Sequence, residues 1–338
     1  MTGLRNQVLI GDALTELRRL PEASVDMVLT SPPYFRLRDY QIDGQLGMEN
    51  HVDHWVSGLR AVGRQAQRVL VPSGSLWLNV ADTYSTHASQ GAGRKGLLLG
   101  PERLALALLS DGWVLRNKIV WQKPNPMPSS VRDRLTCSWE ALYVFAKQPT
   151  YFFDLDAIRV PHTTGHRGRL DPNHQRPRIR EVWRGPNGDD ASGLDLMKAR
   201  GIIGHPLGKN PGDVWRIASS GYRGAHHATF PTTLAERAVL AGCPEARCKL
   251  CRLPWRRKTI RAIGGTALRG ALGPSCGCDA TSEPGLVLDP FFGAGTTAVA
   301  AEQVHRDWLG IELNPGFADL ARRRIQDARA GPANRATA

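Results

Sequence analysis

The chain has 338 residues, 41% of them hydrophobic, and 44 Lys and Arg stand against 31 Asp and Glu, for a formal net charge of +13. That length suits one large α/β domain with insertions or two small domains; no apolar run is long enough to span a bilayer and no charged-then-apolar leader opens the chain, so a cytoplasmic protein is expected. The basic balance points to a polyanionic partner, most simply nucleic acid, although an Arg-rich surface from a high-GC organism gives the same sign.

Val8 to Ile10 read as a short strand, and Leu14, Leu17 and Leu20 follow at helical spacing. Val25 to Leu29 form a buried strand that runs into Thr30-Ser31-Pro32-Pro33-Tyr34. The pattern predicts a helix over 53–70 and a strand over 74–82. "PERLALALLSDGW" is an amphipathic helix closed by Gly112, "LRNKIVWQKP" a strand stopped by Pro124, and "ALYVFAKQ" a further strand. Strands alternating with helices indicate an open, mostly parallel sheet. Apolar periodicity then weakens over 154–212, where residues 159 to 184 carry seven Arg against Asp171 and Glu181. Such a stretch is either a disordered linker or a substrate-facing region that orders on nucleic acid.

The α/β pattern returns with "FPTTLAERAVLAG", a helix ended by Gly242. "GLVLDPFFGAGTTAVAAEQVHRDWLGIELNP" is strand, Gly-rich turn, helix from Thr296 to Val304, and strand ending at Glu312. Residues 327–338 are expected to be a flexible tail.

Gly293 and Gly295 allow backbone N–H groups to approach a ligand closely at the start of a helix. Glu312 lies about twenty residues on, where a βαβ cofactor site places an acid for ribose hydroxyls. A lone G-x-G is weak by itself. The longer G-x-G-x-x-G and a Walker lysine are absent, so the ligand need not be a dinucleotide or a nucleoside triphosphate. Asp289, just before the glycines, suits a cationic amine. S-adenosylmethionine (SAM), with its ribose, ammonium, carboxylate and adenine, fits this set.

Five of the six cysteines fall between 243 and 278. Cys248-x-x-Cys251 and Cys276-x-Cys278, with 24 residues between the pairs, are within reach of a four-thiolate zinc site. Cys243 is a fifth candidate or a substitute, and reduced thiols without metal are the plain alternative. Residues 243–283 are too few for a core of their own, which favours a structural staple. Arg252, Arg256, Arg257, Lys258 and Arg261 make the segment basic, so it could also touch phosphates. Cys137 is expected in the core.

"DPFFGAGTT" and "TSPPY" in one chain resemble the DNA amino-methyltransferases, in the β-class order of motifs. "IGDAL", "SVDMVLTSPPY", "GSLWLNVADTY", "IVWQKPNPMP", "FPTTLAERAV", "VLDPFFGAGTT" and "GIELNP" are similar to family segments in family order, over most of the chain. The resemblance implies a circularly permuted Rossmann-like, SAM-dependent methyltransferase fold with a mostly parallel sheet of seven strands. It divides the chain into a catalytic core (1–123), a target-recognition region with Arg-rich loops (124–212), a return to the core (213–242), a zinc-ribbon-like insert (243–283), a SAM-binding core (284–326) and the tail. It implies that Asp289, Phe291, Gly293, Gly295 and Thr296 surround the methionine part of SAM, with Thr30 also at the cofactor. Glu312 would take the ribose hydroxyls with Asn314 nearby, and Asp12 would sit near the adenine. Phe230 and Pro231 would close over the cofactor. For Asp12, Phe230 and Pro231 a purely structural role is the rival.

By the same resemblance, Ser31, Pro32, Pro33 and Tyr34 are the catalytic run. An exocyclic amine on cytosine or adenine is a poor nucleophile, because its lone pair is delocalised into the ring. The Ser31 hydroxyl and the Pro32 carbonyl can accept its two N–H bonds, the prolines keep those acceptors rigid, and Tyr34 offers a face to a base flipped out of the duplex. Serine at the first position is commoner in N4-cytosine enzymes and aspartate in N6-adenine enzymes, so cytosine is the expected base and adenine the alternative. An RNA or protein methyltransferase and a non-catalytic DNA-binding module are the remoter readings. Double-stranded DNA, a second copy of the chain and a cognate restriction endonuclease are the implied partners.

Overall fold

The structure, a computed structural model, describes residues 4–161, 205, 207–219, 229–261 and 267–330. Strands β1 (Gln7–Ile10), β2 (Val25–Thr30), β3 (Leu70–Val80), β4 (Val114–Gln122), β5 (Trp139–Ala146) and β6 (Val214–Arg216) precede β11 (Leu286–Asp289) and β12 (Asp307–Glu312) in the main sheet. Between them lie the short strands β7 (Arg247–Cys248), β8 (Arg256–Arg261), β9 (Ala267–Gly273) and β10 (Ser282–Glu283). The helices are α1 (Ala13–Arg19), α2 (Val52–Val69), α3 (Gly100–Ser110), α4 (Thr232–Gly242), α5 (Thr296–Gln303) and α6 (Pro315–Ala330).

The chain divides into two compact units, one of Met1–Asp154, Gly212–Arg256 and Gly273–Ala338, the other of Leu155–Pro211 and Arg257–Leu272. In the second, Arg159 bonds Asp156 at 2.6 Å and the Gly208 carbonyl at 3.1 Å beside a Val160–Lys209 bridge, and β8 pairs with β9. The first holds the main sheet, in the order β1-β12-β11-β2-β3-β5-β4-β6. Neighbours are parallel except where β5 runs antiparallel to β3 and β4. The chain's last two sheet strands thus sit between β1 and β2 rather than at an edge, the permuted arrangement that the motif order implied. The sheet has eight strands among the described residues, one more than expected; the addition is the three-residue edge strand β6.

Every residue of β2 is buried, as in a parallel sheet covered on both faces. Alternate residues face opposite sides. Leu76, Leu78, Tyr143 and Phe145 join Leu17, Trp55, Leu59, Leu104 and Leu108 of α1–α3 in one hydrophobic cluster. Trp77, between two of them, faces α4, whose Gly242 comes so close that a Cβ there would lie 2.5 Å from the indole nitrogen. Gly242 is therefore the last helical residue and a packing position, and Cys243 caps the helix.

Three expectations need correction. Residues 124–212 contain β5, whose apolar run lies inside the main sheet between β3 and β4, so they are not wholly a recognition region. Helix α6 extends to Ala330 because Ala321 and Ile325 bury one face and Arg329 pairs with Glu302 at 2.8 Å, so the tail begins later than 327. Cys137 is exposed, on the loop between β4 and β5, with Arg134 3.7 Å from its sulfur. Most of the Arg-rich 159–184 stretch lies outside the described residues.

Candidate active site

The carboxyl ends of β12, β11, β2, β3 and β4 share one edge of the sheet. Because β5 is antiparallel, its amino end reaches the same edge: Val80 of β3 pairs with Ala141, and Trp121 of β4 with Glu140. The chain leaves β2 towards β3 and leaves β11 towards β12, so the β2–β11 junction is a topological switch point, where open α/β sheets bind ligands. A cavity of about 570 Å³ opens there.

One wall comes from the Gly-rich turn. Gly293 has φ of 52° and Gly295 of 73°, left-handed values suited to glycine. The Gly293 N–H donates to Glu312 at 2.7 Å, and the Asn314 N–H donates to the other oxygen of that carboxylate at 2.9 Å. Burial pushes the Glu312 carboxyl up, against the pull of these N–H groups. Asp289 is 2% exposed and accepts from Thr30 Oγ1 and Thr297 Oγ1, each at 2.6 Å, and from the Phe291 N–H at 3.1 Å. Burial dominates here too and pushes its carboxyl up to about 6.

Asp12, Ser31, Pro32, Pro33, Tyr34, Phe230, Asp289, Phe291, Gly293, Thr296, Glu312 and Asn314 all line the cavity. Thr30, Pro231 and Gly295 do not. Thr30 is buried beneath it and holds Asp289. Pro231 caps α4, its carbonyl taking the Leu234 and Ala235 N–H groups. Gly295 starts α5, where a Cβ would lie 3.0 Å from that of Ala321 in α6. Asp12 also has its structural role, capping α1 through the Thr15 N–H at 2.9 Å.

Ser31 follows the last residue of β2. The Pro33 carbonyl is taken by Trp55 Nε1 at 2.9 Å, whereas the Pro32 carbonyl takes no protein donor among the described residues. Tyr34 bonds Glu140 at 2.6 Å, and Lys123 and Asn79 hold that carboxylate in turn. Asn79, Trp121, Lys123 and Glu140 also line the cavity, and sequence reading gave none of them a role. Their only signal was position: Trp121 and Lys123 lie near the end of one predicted strand, Glu140 just before the start of another, and Asn79 within a third.

Elsewhere in the same unit, the sulfurs of Cys248, Cys251, Cys276 and Cys278 all lie within 4.8 Å of one another. The Cys251 and Leu250 N–H groups point at the Cys248 sulfur and draw its thiol down to about 7, towards the thiolate that a metal binds. Cys243 is not part of this cluster; it is fully buried, and burial pushes its thiol well up. Arg247, 3% exposed, ties the insert to the sheet through Asp26 of β2 and is held within the insert by Glu283, each at 2.8 Å.

Comparison with known proteins identifies the family. The sequence profile of the DNA methylase family, of the N6/N4 type, matches residues 25–323. The type II methyltransferase M.SfiI of Streptomyces fimbriatus is 48% identical, in an alignment covering 91% of this chain and 88% of that one. M.Cfr9I of Citrobacter freundii is 33% identical over 94% and 86%. Among solved structures, the PvuII DNA methyltransferase (cytosine-N4-specific) shares the fold, with a TM-score of 0.57 at 17% identity over 96% of this chain and 90% of that one. A profile match running from β2 into α6, together with a full-length relative at nearly half identity, shows that this chain belongs to the N6/N4 DNA methylase family.

Proposed function

We propose that the protein transfers a methyl group from SAM to the exocyclic amine of a base flipped out of double-stranded DNA, with cytosine N4 as the target. The observation that carries this reading is the shared cavity: the Ser31 and Pro32 acceptors open into the same space as Asp289, Gly293 and Glu312. The donor set fits SAM. Asp289 is a buried carboxylate suited to the ammonium, Glu312 suits ribose hydroxyls, and Phe230, Ile311 and Phe317 give apolar wall for the adenine. When bound, SAM supplies an electrophilic methyl group. The chain's own part is to grip the amine: Ser31 and Pro32 accept its N–H bonds out of the base plane, which draws the nitrogen lone pair out of ring conjugation.

Serine at position 31 favours cytosine within the family, and adenine N6 is the alternative. The basic residues at 159–184 and in the insert suit phosphate contacts, which give affinity without sequence choice. Kinship with type II enzymes suggests a restriction-modification role, with an endonuclease encoded nearby, and pairing into a homodimer. Sequencing DNA from cells with and without the gene is the test. N4-methylcytosine at one recognition sequence is expected. N6-methyladenine would reassign the base, and unmodified DNA beside methylated RNA would overturn the reading.

Asp289 gives a pH prediction. Its carboxyl titrates near 6, so an ammonium meets a full negative charge only above that pH. SAM affinity should therefore weaken below about pH 6, with Asp289 by itself contributing at most about tenfold per unit, and Asp289→Asn should bind SAM poorly with most of that contribution gone. Protonation of Glu312, also pushed up by burial, acts in the same direction. Stability without ligand runs the opposite way. A carboxylate whose folded pKa is raised makes the folded state bind more protons between 3.8 and about 6, so stability falls as pH rises through that window. Asp289→Asn should thus raise the melting temperature of the free protein at neutral pH. The fold accommodates it, because Thr297 Oγ1 can take the new amide proton and turn its own to the Leu29 carbonyl, 3.5 Å away. Calorimetric titration and thermal melts from pH 5 to 8, on the order of the buffered range, check both signs.

A further inference from the structure

Glu140 lies at the amino end of β5, 106 residues from Tyr34 in sequence, yet accepts its phenolic proton at 2.6 Å. Ser31 Oγ donates to the same phenol oxygen at 3.3 Å. A phenol has one proton and an ionised carboxylate has none. With Tyr34 committed to Glu140, the bond between Ser31 and Tyr34 can run only one way, from serine to tyrosine. Asn79 Oδ1, 3.3 Å from the phenol oxygen, is a weaker competitor, and its Nδ2 reinforces the arrangement by donating to Glu140 at 3.1 Å and to the Ala141 carbonyl at 3.2 Å. Lys123 donates to the other Glu140 oxygen, a charge-assisted contact that fixes the carboxylate against rotation.

We propose that Glu140, anchored by Lys123 and Asn79, is a positioning residue that acts through Tyr34 to point the Ser31 proton away from the cavity, leaving the serine lone pairs to face the target amine. The proposal rests on the methyl-transfer reading. An exocyclic amine presents two donors, so a serine that aimed its proton at them would repel the group it must hold. Burial and the neighbouring carboxylate push the Tyr34 phenol well above its ordinary range, which keeps it a proton donor. The serine's direction is thereby set before a base enters, as electrostatic preorganisation requires.

Glu140→Gln tests this without changing shape. Lys123 holds the amide oxygen on its side, which turns the amide N–H₂ towards the phenol. Tyr34 then loses its strong acceptor and shares its proton between Asn79 Oδ1 and Ser31 Oγ, each 3.3 Å away, and whenever Ser31 takes it Ser31 must send its own into the cavity. Single-turnover methylation should slow by on the order of tenfold to 100-fold, with SAM affinity as in the wild type and the protein still folded, its melting temperature lowered by the loss of the Lys123 ion pair. Tyr34→Phe, which keeps the ring but removes the link, should slow it comparably. Because Glu140 acts only through Tyr34, the double variant should be no slower than Tyr34→Phe alone. Two results would each overturn the proposal: Glu140→Gln as fast as the wild type, or losses that multiply in the double variant. A wild-type protein that transfers no methyl to DNA would instead overturn the underlying reading.

Discussion

Ser31→Ala is expected to slow methyl transfer to DNA by at least about 100-fold while SAM binds as tightly as before. The structure separates the two effects. Ser31 lies just past β2, partly buried, and its hydroxyl has one side-chain partner among the described residues, Tyr34. No backbone cap or core contact depends on that hydroxyl, and alanine suits the same extended backbone. The carboxylates assigned to the cofactor stand on other strands: Asp289 is held by Thr30 and Thr297, and Glu312 by the Gly293 and Asn314 N–H groups. Position 30 differs sharply from position 31, since the Thr30 hydroxyl is buried against Asp289 and a change there acts on the cofactor end. Losing Ser31 leaves the amine one acceptor, the Pro32 carbonyl, and a single bond cannot hold the nitrogen out of conjugation. Single-turnover assays with labelled SAM, beside calorimetric SAM binding, separate the two quantities. A variant within a few-fold of wild-type rate, on the order of 1 kcal/mol, would remove the serine from the proposed role.

What the sequence made legible follows from which interactions are local. Strand-to-turn motifs carry their chemistry within a few residues, so Asp289, Gly293 and Ser31 could be placed from the order of residues alone. β2 and β11 were legible because strands covered on both faces read as unbroken apolar runs. The Tyr34–Glu140–Lys123 group was not, because its members lie on β5 and just past β2 and β4 and meet only through the antiparallel β5. Nothing in "SWEALYVFAKQ" marks Glu140 as different from a surface residue at a strand end. Thr30, Pro231 and Gly295 show the converse limit. A family motif includes residues that build the cavity without lining it, and position in the motif does not tell these from residues facing the ligand.

The cysteine cluster carries the second large effect. Purified protein should contain about one equivalent of zinc, as a single four-thiolate site requires, and stripping it with a chelator should lower the melting temperature by on the order of 10 °C. Cys276→Ser should do the same without a chelator. Residues 243–283 have little core of their own; Leu250 is 72% exposed and Leu253 44%. What orders them is the meeting of two segments: β7, which ends in Cys248, pairs with β10 four residues after Cys278. Four thiolates converging on one metal would join those segments more firmly than the short β7–β10 pairing can. The consequence reaches the sheet, because Arg247 is next to Cys248 and is the ion-pair partner of Asp26, which is 3% exposed. A loosened knuckle withdraws that guanidinium and leaves a buried carboxylate in β2, and breaking a buried pair from one side costs about 3–5 kcal/mol. The loss should therefore appear in the cooperative melt of the whole sheet and not only as fraying of the insert. If elemental analysis finds no metal in folded protein, and the melt is unchanged by chelator and by Cys276→Ser, the four sulfurs are packed thiols and the β7–β10 pairing with Arg247 holds the insert by itself.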